Sequence, residues 1–143
     1  MIYFDSPYIV RLYLDDPGWE AVRKLSTQAP VACCAHGFAE VVSAVHRKFR
    51  EDALTRVQYR QVLEQFAVDC SEKAFNWLPL TSAVTARVAL VYETLPKTAF
   101  FLRAADAIHL ACAAENHFRE VYTNDRRLLS AAQYFGLSGL NVI

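Results

Sequence analysis

Four carboxylates stand at the edges of apolar segments: Asp5, Glu40, Asp106 and Asp125. Asp5 ends the strand-like run Ile2-Tyr3-Phe4, and Asp125 follows Val121-Tyr122-Thr123. Glu40 opens a helix-like stretch, and Asp106 interrupts an almost wholly apolar one. Ligands of an open parallel sheet collect outside the carboxyl ends of its strands. Acidic side chains gathered there repel one another unless a cation neutralises them. An oxygen-only donor set with retained waters suits a hard ion, Mg²⁺ or Mn²⁺. Ser6 and Thr123 carry hydroxyls beside two of the acids, suited to holding a carboxylate or a metal-bound water.

Each acid also has a plainer reading. Asp5 and Asp125 are each placed to cap a following helix. Glu40 suits a helix dipole and lies opposite an apolar stripe, as a solvated residue would. Asp106 resists this treatment. Between Ala104 and Ala114 only Asp106 and His109 are strongly polar, so the helix that carries them should be buried. A carboxylate there needs a counter-charge or hydrogen bonds, and Arg103, three residues earlier, could supply both. His109 reads as a core histidine satisfied by a neighbour, not as a reacting group.

The elements that must position these residues alternate. Strands are expected at Met1–Phe4, Pro30–Ala35, Phe75–Leu80, Val121–Thr123 and Leu140–Ile143. Helices are expected over Tyr8–Leu14, from Asp16 or Pro17 to Gln28, and over Gly37–Glu51. Thr55 caps a helix to Val68, and Ser82 caps another that must end before Pro96. Leu102–His117 and Asp125–Tyr134 complete the set. Strand–helix alternation over 143 residues implies a single α/β domain, residues 1–143, with helices flanking a mainly parallel sheet in three layers.

Composition narrows the function. Lys plus Arg equals Asp plus Glu at 15 each, so no overall positive field draws nucleic acid. Any such contact needs a local cluster, for which Arg11, Arg47, Lys48 and Arg126 are the candidates, each equally readable as a solvated charge. Cys33, Cys34, Cys70 and Cys112 form no C-x-x-C pair, which argues against a zinc site and for reduced thiols in a cytoplasmic protein. Neither a signal peptide nor a membrane-spanning run is expected. Tyr8, Tyr13 and Trp19 could line a groove for a partner, or pack in the core.

Three segments together carry a resemblance: Ile2-Tyr3-Phe4-Asp5-Ser6, Arg103-Ala104-Ala105-Asp106-Ala107-Ile108-His109-Leu110-Ala111, and Tyr122-Thr123-Asn124-Asp125-Arg126-Arg127-Leu128. In order and spacing they resemble PIN domains, in particular the VapC-like toxins of bacterial and archaeal toxin–antitoxin pairs. The resemblance implies an Mg²⁺- or Mn²⁺-dependent endoribonuclease whose active centre is formed by Asp5, Glu40, Asp106 and Asp125. It also implies a VapB-like antitoxin as partner. A homodimer is expected because two-fold assemblies are the commonest oligomers. Two departures stand out. Pro7 replaces a small polar residue, and Asn124 precedes Asp125, leaving open whether Asp125 meets a metal directly or through water.

Other enzyme classes fit less well. A haloacid-dehalogenase-type phosphatase needs a second aspartate two positions after Asp5, where Pro7 stands. A receiver domain needs paired acids near its start and a distant lysine, and no such set occurs. A catalytically silent PIN-like interaction or RNA-binding module is the rival of another class; lost acids would mark it, and all four are present.

Overall fold

The computed structural model describes residues 1–143 and contains one five-stranded, fully parallel sheet in the order β3-β2-β1-β4-β5. The strands are β1 (Ile2–Phe4), β2 (Val31–Cys34), β3 (Phe75–Leu78), β4 (Glu120–Tyr122) and β5 (Ser138–Leu140). The helices are α1 (Ser6–Val10), α2 (Trp19–Ser26), α3 (His36–Arg50), α4 (Arg56–Ser71), α5 (Ser82–Thr94), α6 (Ala104–Glu115) and α7 (Arg126–Ala131). From β1 the chain winds outward to β3, then returns to lay β4 on the other side of β1. The winding direction therefore reverses between β1 and β4, which is where α/β sheets open a crevice for ligands.

Side chains alternate across the sheet and so build two cores. Phe4, Val31, Cys33 and Phe75 face a layer made by Tyr8, Ile9, Val22, Val41, Val45 and Phe66. Tyr3, Cys34 and Val121 face the opposite layer, made by Val84, Val91, Leu110, Ala111 and Leu128. The three-layer α/β arrangement is the one expected. No helix is long and apolar enough to cross a membrane.

Several boundaries differ for physical reasons. The first helix ends at Val10 instead of Leu14, and the chain turns there. The second starts at Trp19, because Gly18 at φ 85° occupies its N-cap. Thr81, not Ser82, caps α5 by accepting the Val84 N–H at 3.3 Å. After Ala131 the helix tightens into a 3-10 turn over Ala132–Phe135.

The last strand lies earlier than Leu140–Ile143, since Ser138, Gly139 and Leu140 pair with Glu120, Val121 and Tyr122. Only a glycine fits beside the Leu129 backbone there: a Cβ on Gly139 would lie 2.9 Å from Leu129 Cα. Asn141 then leaves the sheet, its Oδ1 accepting the Tyr8 hydroxyl at 2.8 Å. Tyr8 is fully buried and Tyr13 donates to Asp69 at 2.6 Å while packing edge-on against Phe66. These two belong to the packing, and do not form an open groove with Trp19.

Candidate active site

The carboxyl ends of β1 and β4 lie side by side, and a capping aspartate follows each, Asp5 directly after β1 and Asp125 beyond Thr123 and Asn124. Asp5 accepts the Tyr8 N–H at 3.3 Å and caps α1. Asp125 caps α7, its Oδ1 accepting the Arg127 N–H at 2.8 Å and the Leu128 N–H at 3.4 Å. Capping uses Oδ1 alone, so Asp125 Oδ2 is turned elsewhere, to Arg103. Thr123 ties the two strand ends together: its hydroxyl donates to Asp5 Oδ2 and accepts the Asp125 N–H at 2.9 Å.

Arg103, the N-cap residue of α6, joins Asp106 to Asp125. Its Nε donates to Asp106 Oδ2 at 2.8 Å, and its Nη2 reaches Asp106 Oδ1 at 3.4 Å and Asp125 Oδ2 at 3.2 Å. The i,i+3 pairing expected for Arg103 and Asp106 is present, and it extends across to the cap of α7. From α3, Glu40 Oε2 accepts the Ser6 hydroxyl at 2.7 Å. Glu40 is half-buried, not the solvated residue its helical position suggests. A groove of about 570 Å³ runs over Ser6, Glu40, Arg47, Arg103 and Asp125.

The electrostatics are uneven. Asp5 is 2% exposed, and burial pushes its carboxyl up to about 7. Hydrogen bonds from Thr123 and Tyr8 pull it down, while the charges of Asp125 and Glu40 push it further up. Burial also disfavours ionised Glu40, but contacts with His109, His36 and Ser6 override it and hold that carboxyl well below the usual range.

Two imidazoles lie against Glu40. His36 Nε2 is 2.8 Å and His109 Nε2 3.2 Å from the same oxygen, Oε1. Neither approach is directed well enough to be a hydrogen bond, and both Glu40 Oε1 and His109 Nε2 are buried without one. His109 Nδ1 is bonded to the Tyr3 hydroxyl at 2.9 Å, so the expectation of a satisfied core histidine holds for one of its nitrogens only. His36 drew no attention in the sequence. Its signal was the i,i+4 spacing to Glu40 on one helix.

The proposed basic contacts divide. Arg11 is 8% exposed, with Nε donating to the Pro17 carbonyl and Nη1 to the Pro7 carbonyl, both at 2.9 Å. It braces the turn after α1, which corrects the expectation that it meets RNA. Lys48 is paired with Asp16 at 2.8 Å. Arg47 is exposed and borders the groove, and Arg126 is exposed at the start of α7. Asn124 lines an adjoining hollow with Asp125.

The donor chemistry fits a hard divalent ion. The four acids offer oxygen donors, Asp5 is buried with no cation paired to it, and a guanidinium pairs with Asp106 and Asp125. The group whose ligand atoms lie within 4.8 Å of one another, however, is His36, Glu40 and His109, not the four acids. The PIN domain family matches residues 2–133. This chain belongs to the PIN domain family. No curated protein matches it significantly.

Solved structures share the PIN fold at low identity. FitAcB from Neisseria gonorrhoeae is 21% identical, covering 99% of this chain and 97% of that one, with a TM-score of 0.74. VapBC2 from Rickettsia felis, bound to a DNA fragment from its promoter, is 14% identical over 99% of this chain and 98% of that one, with a TM-score of 0.69. A toxin–antitoxin complex from Klebsiella pneumoniae is 16% identical over 96% and 95%, with a TM-score of 0.61.

Proposed function

We propose that this PIN domain is a metal-dependent endoribonuclease and the toxin of a toxin–antitoxin pair, with Asp5, Glu40, Asp106 and Asp125 holding Mg²⁺ or Mn²⁺. The observation that carries the reading is Arg103, whose positive charge bridges Asp106 on α6 and Asp125 at the cap of α7 beside the buried Asp5. Asp106 and Asp125, remote in sequence, are held together by that one cationic group, and an ion serving the proposed site would relieve the same repulsion.

When bound, such an ion supplies Lewis acidity at a phosphodiester and makes water acidic enough to attack it. The chain's own residues prepare the site. Thr123 and the Tyr8 N–H fix the Asp5 carboxylate, and Ser6 fixes one oxygen of Glu40. Asp125 keeps Oδ2 free of its capping bonds, which supports direct ligation over a bridging water. Arg103, released from its acids, has a planar array of N–H donors suited to a phosphate. Arg47 and Arg126 are the exposed cations near the groove that could follow an RNA backbone.

Membership of the PIN family, together with a toxin–antitoxin complex among its structural likenesses, supports an antitoxin partner for this chain; the proposed place of action is the cytoplasm, and a homodimer is the simplest assembly. The test is to incubate the pure chain with labelled RNA and Mg²⁺ or Mn²⁺. Metal-dependent cutting, lost in both Asp5→Ala and Asp106→Ala, is the expected result. Undiminished cutting by both variants would remove the site assignment. No cutting by a folded wild-type chain would leave the silent interaction module.

A further inference from the structure

We propose that His36 Nε2, His109 Nε2 and Glu40 Oε1 form a separate site for a zinc-class divalent ion, next to the acidic centre and sharing Glu40 with it. The three ligand atoms lie within 4.8 Å of one another. Two imidazole nitrogens and a carboxylate are a zinc donor set that leaves a fourth position open. Mg²⁺ prefers oxygen ligands, so the two sites differ in the ion they select. The site does not depend on whether the acidic centre cuts RNA.

Independent evidence comes from unmet polar atoms. His109 is 1% exposed, yet its Nε2 has no hydrogen bond and stands 3.2 Å from Glu40 Oε1, which also lacks one. Leaving such atoms buried and unpaired is costly, and an ion between them would satisfy both. The floor of the site is rigid. The Tyr3 hydroxyl holds His109 Nδ1 at 2.9 Å, an outer partner of the kind that orients metal-binding histidines.

Gly37 admits this arrangement: a Cβ there would come within 3.3 Å of His109 Cε1. The open side is formed by His36 and Glu40, whose side chains are 21% and 33% exposed. In the metal-free chain His36 Nε2 carries a proton, donated to the Ala105 carbonyl at 3.1 Å. Ligation requires both rings to bind through a bare Nε2 and to keep their remaining proton on Nδ1. A neutral His36 meets this by moving its one proton from Nε2 to Nδ1 through solvent, with no net release, and for His109 the Tyr3 oxygen accepts the Nδ1–H.

The test titrates metal-free full-length protein with Co²⁺ in excess Mg²⁺ and records visible absorption. One equivalent should produce nitrogen-ligand d–d bands that Zn²⁺ abolishes. His36→Ala should weaken Co²⁺ binding at least 100-fold with an unchanged circular dichroism spectrum. Asp106→Asn, which disables the acidic centre, should keep the bands. Absence of bands in the wild type, their persistence in folded His36→Ala, or their loss in folded Asp106→Asn would each overturn the proposal. Should His36→Ala fail to fold, His36→Gln is read by the same criterion.

Discussion

Thr123 donates its hydroxyl to Asp5 and accepts the backbone N–H of Asp125, so one side chain locks the ends of the two strands flanking the crevice. Thr123 is fully buried, and water cannot replace it. Thr123→Val should leave Asp5 Oδ2 and the Asp125 N–H unpaired, at about 1–3 kcal/mol. Thr123→Ser keeps the hydroxyl and should be much milder. Chemical denaturation of both variants tests this; a smaller loss in Thr123→Val than in Thr123→Ser would mean that the methyl, not the hydroxyl, matters.

Arg103 stands where the proposed ion's charge is needed. Its side chain is 55% exposed, so each of its pairs is worth only ~0.2–1 kcal/mol. Arg103→Ala should therefore lower metal-free stability slightly and tighten Mg²⁺ binding about two- to tenfold, since the guanidinium no longer competes. Calorimetric titration gives the affinity. Weaker Mg²⁺ binding would show that Arg103 orders the acids for the ion instead of opposing it.

Asp5 gives the metal-free protein a pH dependence of unusual sign. Its carboxyl lies at about 7 when folded against an ordinary 3.8. In the unfolded chain it ionises first, so the stability it contributes is complete below 3.8 and is lost as pH rises through 7. At ~1.4 kcal/mol per unit the loss has a ceiling on the order of 4 kcal/mol. Glu40, shifted the other way, contributes stability above the normal carboxylate range that disappears in stronger acid.

Thermal melts of metal-free protein from pH 5 to 8 should therefore fall with pH for the wild type, and much less for Asp5→Asn, whose amide mimics the protonated acid. Mg²⁺ should reverse the trend, binding more tightly as Asp5 ionises. Identical pH profiles for wild type and Asp5→Asn would refute the assignment.

How much of this was legible beforehand depends on whether a residue's role is local. Ile2–Phe4 and the run into Tyr122 read as strands because buried apolar segments bounded by capping residues announce themselves. Asp106 stood out because, up to Ala114, only His109 shares its helix with it as a strongly polar side chain. The role of His36 was hidden, since it arises only when α6 brings the His109 ring to within 4.2 Å between centroids. Arg11 misled for a similar reason: its burial follows from the turn after Val10, which no residue spacing announces. The last strand slipped because its register is decided by Gly139 fitting against Leu129, a contact across elements.

Gly37 is a further case of such distant control, and it can be tested. It sits in the first turn of α3, where a Cβ would lie 2.4 Å from Cys33 Sγ and 3.3 Å from His109 Cε1. Helix propensity alone favours alanine here by about 1 kcal/mol. Overpacking opposes it at about 1–3 kcal/mol, because Cys33 is fully buried. Gly37→Ala should therefore destabilise the protein despite its better helix propensity. Cys33→Ala removes the colliding sulfur at the expense of a small cavity, and Gly37→Ala should be tolerated better in that background. A double-mutant cycle by urea denaturation measures the coupling, which should favour the pair by more than about 0.5 kcal/mol. Strict additivity would mean that the helix start moves away from β2 instead of pressing on Cys33.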